Sequence, residues 1–521
     1  MNTYRYWLFI FLIVFSSCRT HKQISYSDRN RTFTPSQLIE DVDYAFDILK
    51  QRHPAPYTYI SEEHLNYKID SIKKLITAPM TSRALYRLVT PVYNSIGCIH
   101  SNMRSPVFSF TKKQKDSLEK VSNNRAITQL QLLYQNNKLF VTGSKSPDVK
   151  VVPGAQLISI EGNPVANMMD TFLLHSPRDG YNTTFPELYI SANFFVLYHL
   201  YYGLKDTMML EFSHKDSVFT QSFSVIHTAD TSKQQPKHQE KAKDKKVKNK
   251  SKNREPYPYR GKDENGKYIL DFRFTDSTRH TAYMKVSSFS TLKSNFRKFY
   301  KVSFDSLRKE HTEHLILDMR GNSGGFLFRS IHLYTYLTDT SFIFIQPSLA
   351  AGRYNPATYL KGIPGFLQKV AGAIVLPFVV KRKQDGKYYV RMSGQKPAHP
   401  NKNNYTRNLY VLTDGFTASA ASLLAANIQG NGRGNIVGDE SGGARNICFA
   451  GKYTRAYTPN TNIPFQVGMY TIAPVVQDNI KGRGVMPQKM IRRNVVDVVQ
   501  KKDKVVDTLL SEIKNSYLHI K

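Results

Sequence analysis

A chain of 521 residues has the length for about three domains and a sizeable buried core, and 40% hydrophobic with 12% aromatic residues excludes a largely disordered protein. The formal net charge of +33 points first to nucleic acid or an anionic surface. Between Thr231 and Arg260, however, eleven Lys and Arg face only Glu240, Asp244 and Glu255, so +8 of that charge sits in one polar stretch that reads as a solvated linker; no nucleic-acid module accompanies it, and no nucleic-acid partner is expected.

Taken in chain order, Arg5 and the apolar run Tyr6–Phe15 make a signal segment too short for a stable bilayer span. Phe15-Ser16-Ser17-Cys18 resembles the lipobox of bacterial lipoproteins, in which the cysteine is lipid-modified and becomes the mature N-terminus. That resemblance implies a signal peptide over 1–18, a polar tether over 19–35 and a lipid-anchored protein of the bacterial cell envelope, periplasm-facing or on the outer membrane. An ordinary secretory signal with a chance cysteine is the plainer reading, and it too predicts export. Cys98 and Cys448 are then the remaining cysteines. In an oxidising compartment they either pair or stay two buried thiols.

Residues 36–115 read as a small helical domain. Ser36 opens a helix with apolar residues at Leu38, Val42, Phe46 and Leu49, ended by Pro54 and Pro56. Further helices are expected over His64–Leu75 and Ser82–Ser95, and a glycine turn then delivers Ile96-Gly97-Cys98-Ile99-His100-Ser101. A PDZ-like module is expected over 120–228, and between Asn137 and Val225 the texture is strand-like. Within it Val152–Val165 resembles a segment of PDZ domains, which bind peptide ends by strand addition, although a carboxylate-binding loop is not evident. Its Glu-Gly-Asn element predicts a tight turn after a strand.

The basic linker covers 229–260, and 261–521 alternates strands with helices, which argues α/β. Thr281–Val286 and Leu315–Met319 read as strands, Asn295–Lys309 and Phe326–Leu337 as helices. Pro347–Gly394 reads as an insertion whose apolar run Ile363–Val380 suits core packing better than a lid or membrane contact. Asn408–Thr413 is a strand, Asp414-Gly415-Phe416 a turn, and Ala420–Ile428 a helix, so Ser419 stands at a strand-to-helix junction. That is where a nucleophilic serine, or a plain helix cap, belongs. Asn435–Gly443 is a strand running into a glycine loop, and a last helix is expected over Asp503–Ser516.

The stretches "LILDMRGNSGG" (315–325), "TASAAS" (417–422), "VGDESGG" (437–443) and "KGRGVMPQ" (481–488) stand in one order that resembles the C-terminal processing (tail-specific) and tricorn-core serine peptidase family. The "SIGCIHS" stretch matches its Lys-lacking branch. The resemblance implies a ClpP/crotonase-like peptidase core, with Ser419 as nucleophile and the N–H groups of Gly325 and Ala420 as oxyanion hole. Where processing enzymes carry a lysine base, this chain has Ala444, and the neighbouring Arg445 stays protonated. The base implied instead is His100, in an Ile96–His100 stretch where similar members carry "IGDGH" and this chain has Cys98 at the acid's place. Ser101 and Glu440 are the candidates to orient it. If Cys98 and Cys448 lie together, a disulfide would pin the histidine loop to the core. No cofactor and no metal are expected. The reading is an exported serine endopeptidase acting on peptides or unfolded protein ends. Its alternative is an inactive peptide-binding pseudo-peptidase, favoured by the missing lysine, the missing acid and Ser422 where the family usually has Glu.

Overall fold

The computed structural model describes residues 24–106, 108–116, 125–224, 257–353, 378–476 and 480–518. Cys18 and the signal segment, most of the basic linker and most of Ile363–Val380 lie outside them. Among the described residues no helix is long and apolar enough to cross a membrane.

The mixed α/β core is built on a six-stranded sheet in the order Leu270–Phe274, Thr281–Val286, His314–Asp318, Asn408–Thr413, Asn435–Gly438, Lys489–Met490. The first pair is antiparallel and the others are parallel. Side chains alternate along each strand, so the continuous apolar runs seen in the sequence serve two buried faces. Leu315, Leu317, Leu409 and Val411 pack on one side with the helices Phe296–Lys309, Leu327–Thr335 and Ala420–Gly430. Ile316, Leu412 and Val437 pack on the other with Val505, Val506, Leu509 and Ile513 of the last helix, Lys504–Leu518.

That last helix is locked to the sheet by a buried ion cluster. Arg320 donates through Nη1 and Nη2 to both oxygens of Asp503 at 2.7 Å, and through Nε and Nη2 to Asp318 at 3.0 and 2.7 Å. Lys285 and the Tyr283 hydroxyl also reach Asp318, which is 1% exposed. These partners hold its carboxyl far below the usual carboxylate range despite burial. The Asp-Met-Arg of the 315–325 motif is thus a structural brace behind the active loops.

A second, antiparallel sheet carries the long strands Cys448–Tyr457 and Pro464–Ile472, flanked by Ser348–Ala350, Tyr388–Val390 and Val380–Arg382. The N-terminal helices Pro35–Arg52, Glu62–Lys74 and Ser82–Asn94 pack on it through Phe449, Ile463, Phe465 and Val467. The first helix is capped two residues earlier than Ser36 suggests. Thr34 is its cap, with a reciprocal bond to Gln37 and Pro35 at the first helical position. Buried Asp41 accepts from the N–H groups of Asn460 (2.8 Å) and Thr461 (2.7 Å), fixing the helix to the turn between the two long strands.

The middle module has a six-stranded sheet, Leu130–Gln135, Lys138–Ser144, Gln156–Ile160, Thr207–His214 and Ser217–Ser224 in order, with the two-residue strand Asn163–Pro164 paired to Gln156–Ile160 off that path. Ser159 and Ile160 pair with Pro164 and Asn163 around Glu161 (φ 53°) and Gly162 (φ 75°), the tight turn expected there. The strand-like texture is misleading elsewhere. Ala166–His175 and Thr184–Tyr202 are helices, because Ile190, Phe194, Leu197 and Tyr198 recur at helical spacing and bury against this sheet, and packing overrides the aromatic preference for strands.

Two predictions follow from burial. Arg320→Met leaves Asp318 in the core without its bidentate partner and should cost about 3–5 kcal/mol in denaturant unfolding; a loss under ~1 kcal/mol contradicts the brace. His53, packed 4.5 Å from the Phe449 ring, is pushed by burial to about 3, and His175 by burial to about 4. Both folded values are depressed, so between those values and 6.5 the unfolded chain binds more protons. Stability is therefore full above pH 6.5 and falls as pH drops below it, by up to ~1.4 kcal/mol per pH unit for each histidine. Denaturant midpoints at pH 7 and 5 should show the fall, and His53→Asn should remove about one proton's share of it.

Candidate active site

Ser419 follows the strand Asn408–Thr413 and precedes the helix Ala420–Gly430. Its backbone stands at φ 54°, ψ −126°, a sparsely populated conformation that costs of order 1–3 kcal/mol for a residue with a Cβ. The surroundings enforce it. Thr417 Oγ1 donates to Met319 O (3.1 Å) and accepts from Asp414 N (3.0 Å). Asp414 Oδ1 accepts from the N–H groups of Gly321 and Phe416, and Ala418 N–H donates to Asn322 O. Asn322, fully buried, in turn donates to Val286 O and accepts from Gly324 N–H. The serine therefore sits half-buried at the carboxyl ends of the parallel strands, where α/β sheets place their ligands.

Gly324 explains why the neighbouring loop is glycine-rich. At φ 97°, a Cβ there would lie 2.7 Å from Ser419 Cβ and 2.9 Å from Ala420 N. The bare backbone lets the two loops touch. Gly325, next in the chain, is exposed, and neither its N–H nor that of Ala420 has an acceptor among the described residues. Two unspent donors beside a strained serine are what a developing oxyanion needs. Ser422, downstream, donates to Ser419 O at 2.9 Å and steadies the first helical turn.

His100 arrives from the helical domain because Asn102 and Met103 add to the edge of Pro464–Ile472, opposite Gln466 and Phe465. Its carbonyl accepts from Gln466 Nε2, and its ring stacks on Tyr453 at 6.3 Å. Burial holds the imidazole down to about 4, so it is neutral at physiological pH, the form a general base requires. It does not bond to Ser419 directly. Cys448 Sγ lies between them, 3.7 Å from His100 Nδ1 and 4.0 Å from Ser419 Oγ.

Neither candidate orienter points at the imidazole. Ser101 Oγ accepts from Gly468 N–H (3.0 Å) and from Cys98 Sγ. Glu440 is spent on Arg483 and on Gly484 N–H (2.6 Å), an ion pair that shapes the loop after Asn435–Gly438. The acid near His100 is instead Asp179, from the turn between the two helices of the middle module. It is 2% exposed, and its two oxygens accept from Ile99 N–H (2.8 Å) and Ala444 N–H (3.1 Å). Burial raises its carboxyl to about 6 against these bonds. Asp179 thus ties the histidine loop to the position where a processing enzyme would carry lysine. In sequence it reads only as a turn residue in Pro-Arg-Asp-Gly, and nothing local marks it.

Gly180 N–H donates to Gly97 O, and Tyr181 N–H to Gly482 O, closing the same junction. Arg445 turns away to Gln429. Cys98 and Cys448 are both buried free thiols rather than a disulfide, though they lie close enough that a charge on Cys98 would be felt at Cys448. One ligand atom from each of Cys98, His100 and Asp179 falls within 4.8 Å of the others.

Solved structures share this architecture. Mature CPAF complexed with lactacystin is 13% identical, covers 93% of this chain and 98% of its own, and superposes with a TM-score of 0.60. Mature CPAF in another crystal structure is 13% identical over 92% and 96%, with a TM-score of 0.57. At that identity the likeness speaks for the fold. No curated protein matches the chain in sequence. Residues 280–488, which hold Ser419, Gly325, Ala420, Glu440 and Cys448, match the model of Peptidase family S41. That core is what the chain has in common with peptidase family S41.

Proposed function

We propose that this protein is an exported, lipid-anchored serine endopeptidase that cuts peptides or unfolded protein ends, with Ser419 as nucleophile and His100 as base. The observation that carries it is the strained Ser419 at a helix start, flanked by the uncommitted N–H groups of Ala420 and Gly325. Ser419 Oγ attacks the scissile carbonyl carbon and its proton passes to His100. The carbonyl oxygen becomes anionic between the two N–H groups. His100 then protonates the leaving amine, and water releases the acyl group. With Cys448 Sγ between the two side chains, the Ser–His contact forms by rotation of the imidazole or the thiol as substrate binds, since catalytic hydrogen bonds often tighten only in the complex.

Export and lipid attachment rest on Arg5, the apolar run Tyr6–Phe15 and Cys18. A polypeptide substrate is supported by the family match and by exposed Phe326 and Phe328, which follow the oxyanion glycine directly and offer apolar surface to side chains. The PDZ-like segment Val152–Val165 is a further peptide-holding element in this reading.

Fluorophosphonate labelling tests the assignment. Label should vanish in Ser419→Ala and fall strongly in His100→Ala while both variants keep their unfolding midpoints. Label retained in Ser419→Ala refutes the nucleophile, and label unchanged in His100→Ala refutes the base. Gly324→Ala should lower the labelling rate by about 10²–10³, as loss of one oxyanion donor does, because the new methyl displaces Ser419 and Ala420. An unchanged rate would mean that the close approach of the two loops does not set the chemistry.

A further inference from the structure

The side chains gathered behind Ser419 form a better ligand set than proton relay. The imidazole of His100 is presented to sulfur rather than to the serine hydroxyl, with Cys448 Sγ 3.7 Å from Nδ1 and 3.9 Å from Nε2. Cys98 Sγ and an Asp179 oxygen also lie within 4.8 Å of a ring nitrogen and of each other. We propose that Cys98, His100, Cys448 and Asp179 form a binding site for a thiolate-preferring divalent cation of the zinc class, and that occupancy silences the serine by taking the imidazole. The silencing half rests on the Ser419–His100 reading; the binding half does not.

Donor chemistry selects the ion. Two sulfurs, one imidazole nitrogen and one carboxylate oxygen suit zinc and exclude the all-oxygen preference of magnesium or calcium. The spacing suits a tetrahedral ion as well. With ~2.3 Å to sulfur and ~2.0–2.1 Å to nitrogen, the sulfur–nitrogen edge of such a site is about 3.6 Å. The Cys448–His100 edge is already at that length, the Cys98, His100 and Asp179 ligand atoms lie within 4.8 Å of one another, and rotation of the side chains, Cys448 included, is what draws the four donors onto one ion.

The supporting backbone is fixed in advance. Asp179 receives N–H bonds from Ile99 and Ala444, and Ser101 Oγ receives that of Gly468, so the segments carrying three of the ligands are held together before any ion arrives. Asp179 keeps lone pairs beyond those two bonds. Both sulfurs and the carboxylate belong to residues 2% exposed, whereas His100 is half-buried and opens the way in from the substrate side. Binding replaces two S–H bonds by two S–metal bonds and releases two protons, while neutral His100 donates its lone pair and loses no proton.

The test is titration of the reduced, chelator-treated protein with Co²⁺ alone, followed by Zn²⁺. One Co²⁺ per chain should bind with a thiolate-to-cobalt charge-transfer band and strong tetrahedral d–d absorption, and one Zn²⁺ should displace it. Cys448→Ser and Cys98→Ser should each diminish the charge-transfer band and weaken Zn²⁺ binding about tenfold or more. Should Cys98→Ser fail to fold, Cys448→Ser carries the comparison alone. In the wild type, one equivalent of Zn²⁺ should abolish fluorophosphonate labelling, and a chelator should restore it. Absence of a thiolate band, or equal affinity in a folded Cys448→Ser protein, overturns the site. Full labelling with Zn²⁺ bound overturns the silencing. A thiolate band in a protein that never labels, even free of metal, upholds the site and removes the peptidase reading instead.

Discussion

Everything at this site depends on holding one serine in a backbone conformation it would not adopt by itself. The φ of 54° at Ser419 is stabilised by hydrogen bonds that converge from three strand ends: Met319 and Asn322 after His314–Asp318, Asp414 and Thr417 after Asn408–Thr413, and Gly443, whose N–H donates to Thr417 O, after Asn435–Gly438. Strain of ~1–3 kcal/mol persists only where surrounding bonds over-determine the geometry, and here they number more than the residues they fix. The parallel sheet supplies the anchor points, and the Asp318–Arg320–Asp503 cluster keeps its strand ends in register with the last helix.

The rest of the molecule brings a histidine toward that serine from a distance. His100 lies more than 300 residues upstream of Ser419, yet strand addition at Asn102–Met103 and the Asp41 bonds to Asn460 and Thr461 seat the helical domain on the second sheet. The middle module contributes the clasp. Asp179, Gly180 and Tyr181 bind Ile99, Gly97, Ala444 and Gly482, so a turn far from either motif joins the histidine loop to the core. Three segments with separate hydrophobic cores thereby meet at one cluster of four polar side chains.

Sequence reading reached the parts that depend on local chemistry. Ser419 is legible because strand, turn and helix signals fall in immediate succession, and Gly324–Gly325 because a glycine pair after a buried strand has few other uses. His100 is legible only through the family resemblance. The clasp and the cluster are not legible, since they arise from contacts such as Asp179 to Ala444, 265 residues apart, between elements whose docking no periodicity encodes. Glu440 shows the same limit from the other side. An acid next to a glycine loop reads as functional, but Arg483, brought beside it by the fold, consumes its charge. The helices of the middle module were obscured for a different reason, aromatic residues having strand propensity that tertiary packing overrides.

The most direct measurement is a crystal structure of the protein after reaction with a fluorophosphonate. The account predicts phosphorus bonded to Ser419 Oγ, a phosphonyl oxygen about 2.7–3.1 Å from the N–H groups of Gly325 and Ala420, and the His100 imidazole moved into hydrogen-bond reach of the adduct. Phosphorus on any other side chain, or a phosphonyl oxygen turned away from those two N–H groups, would contradict it.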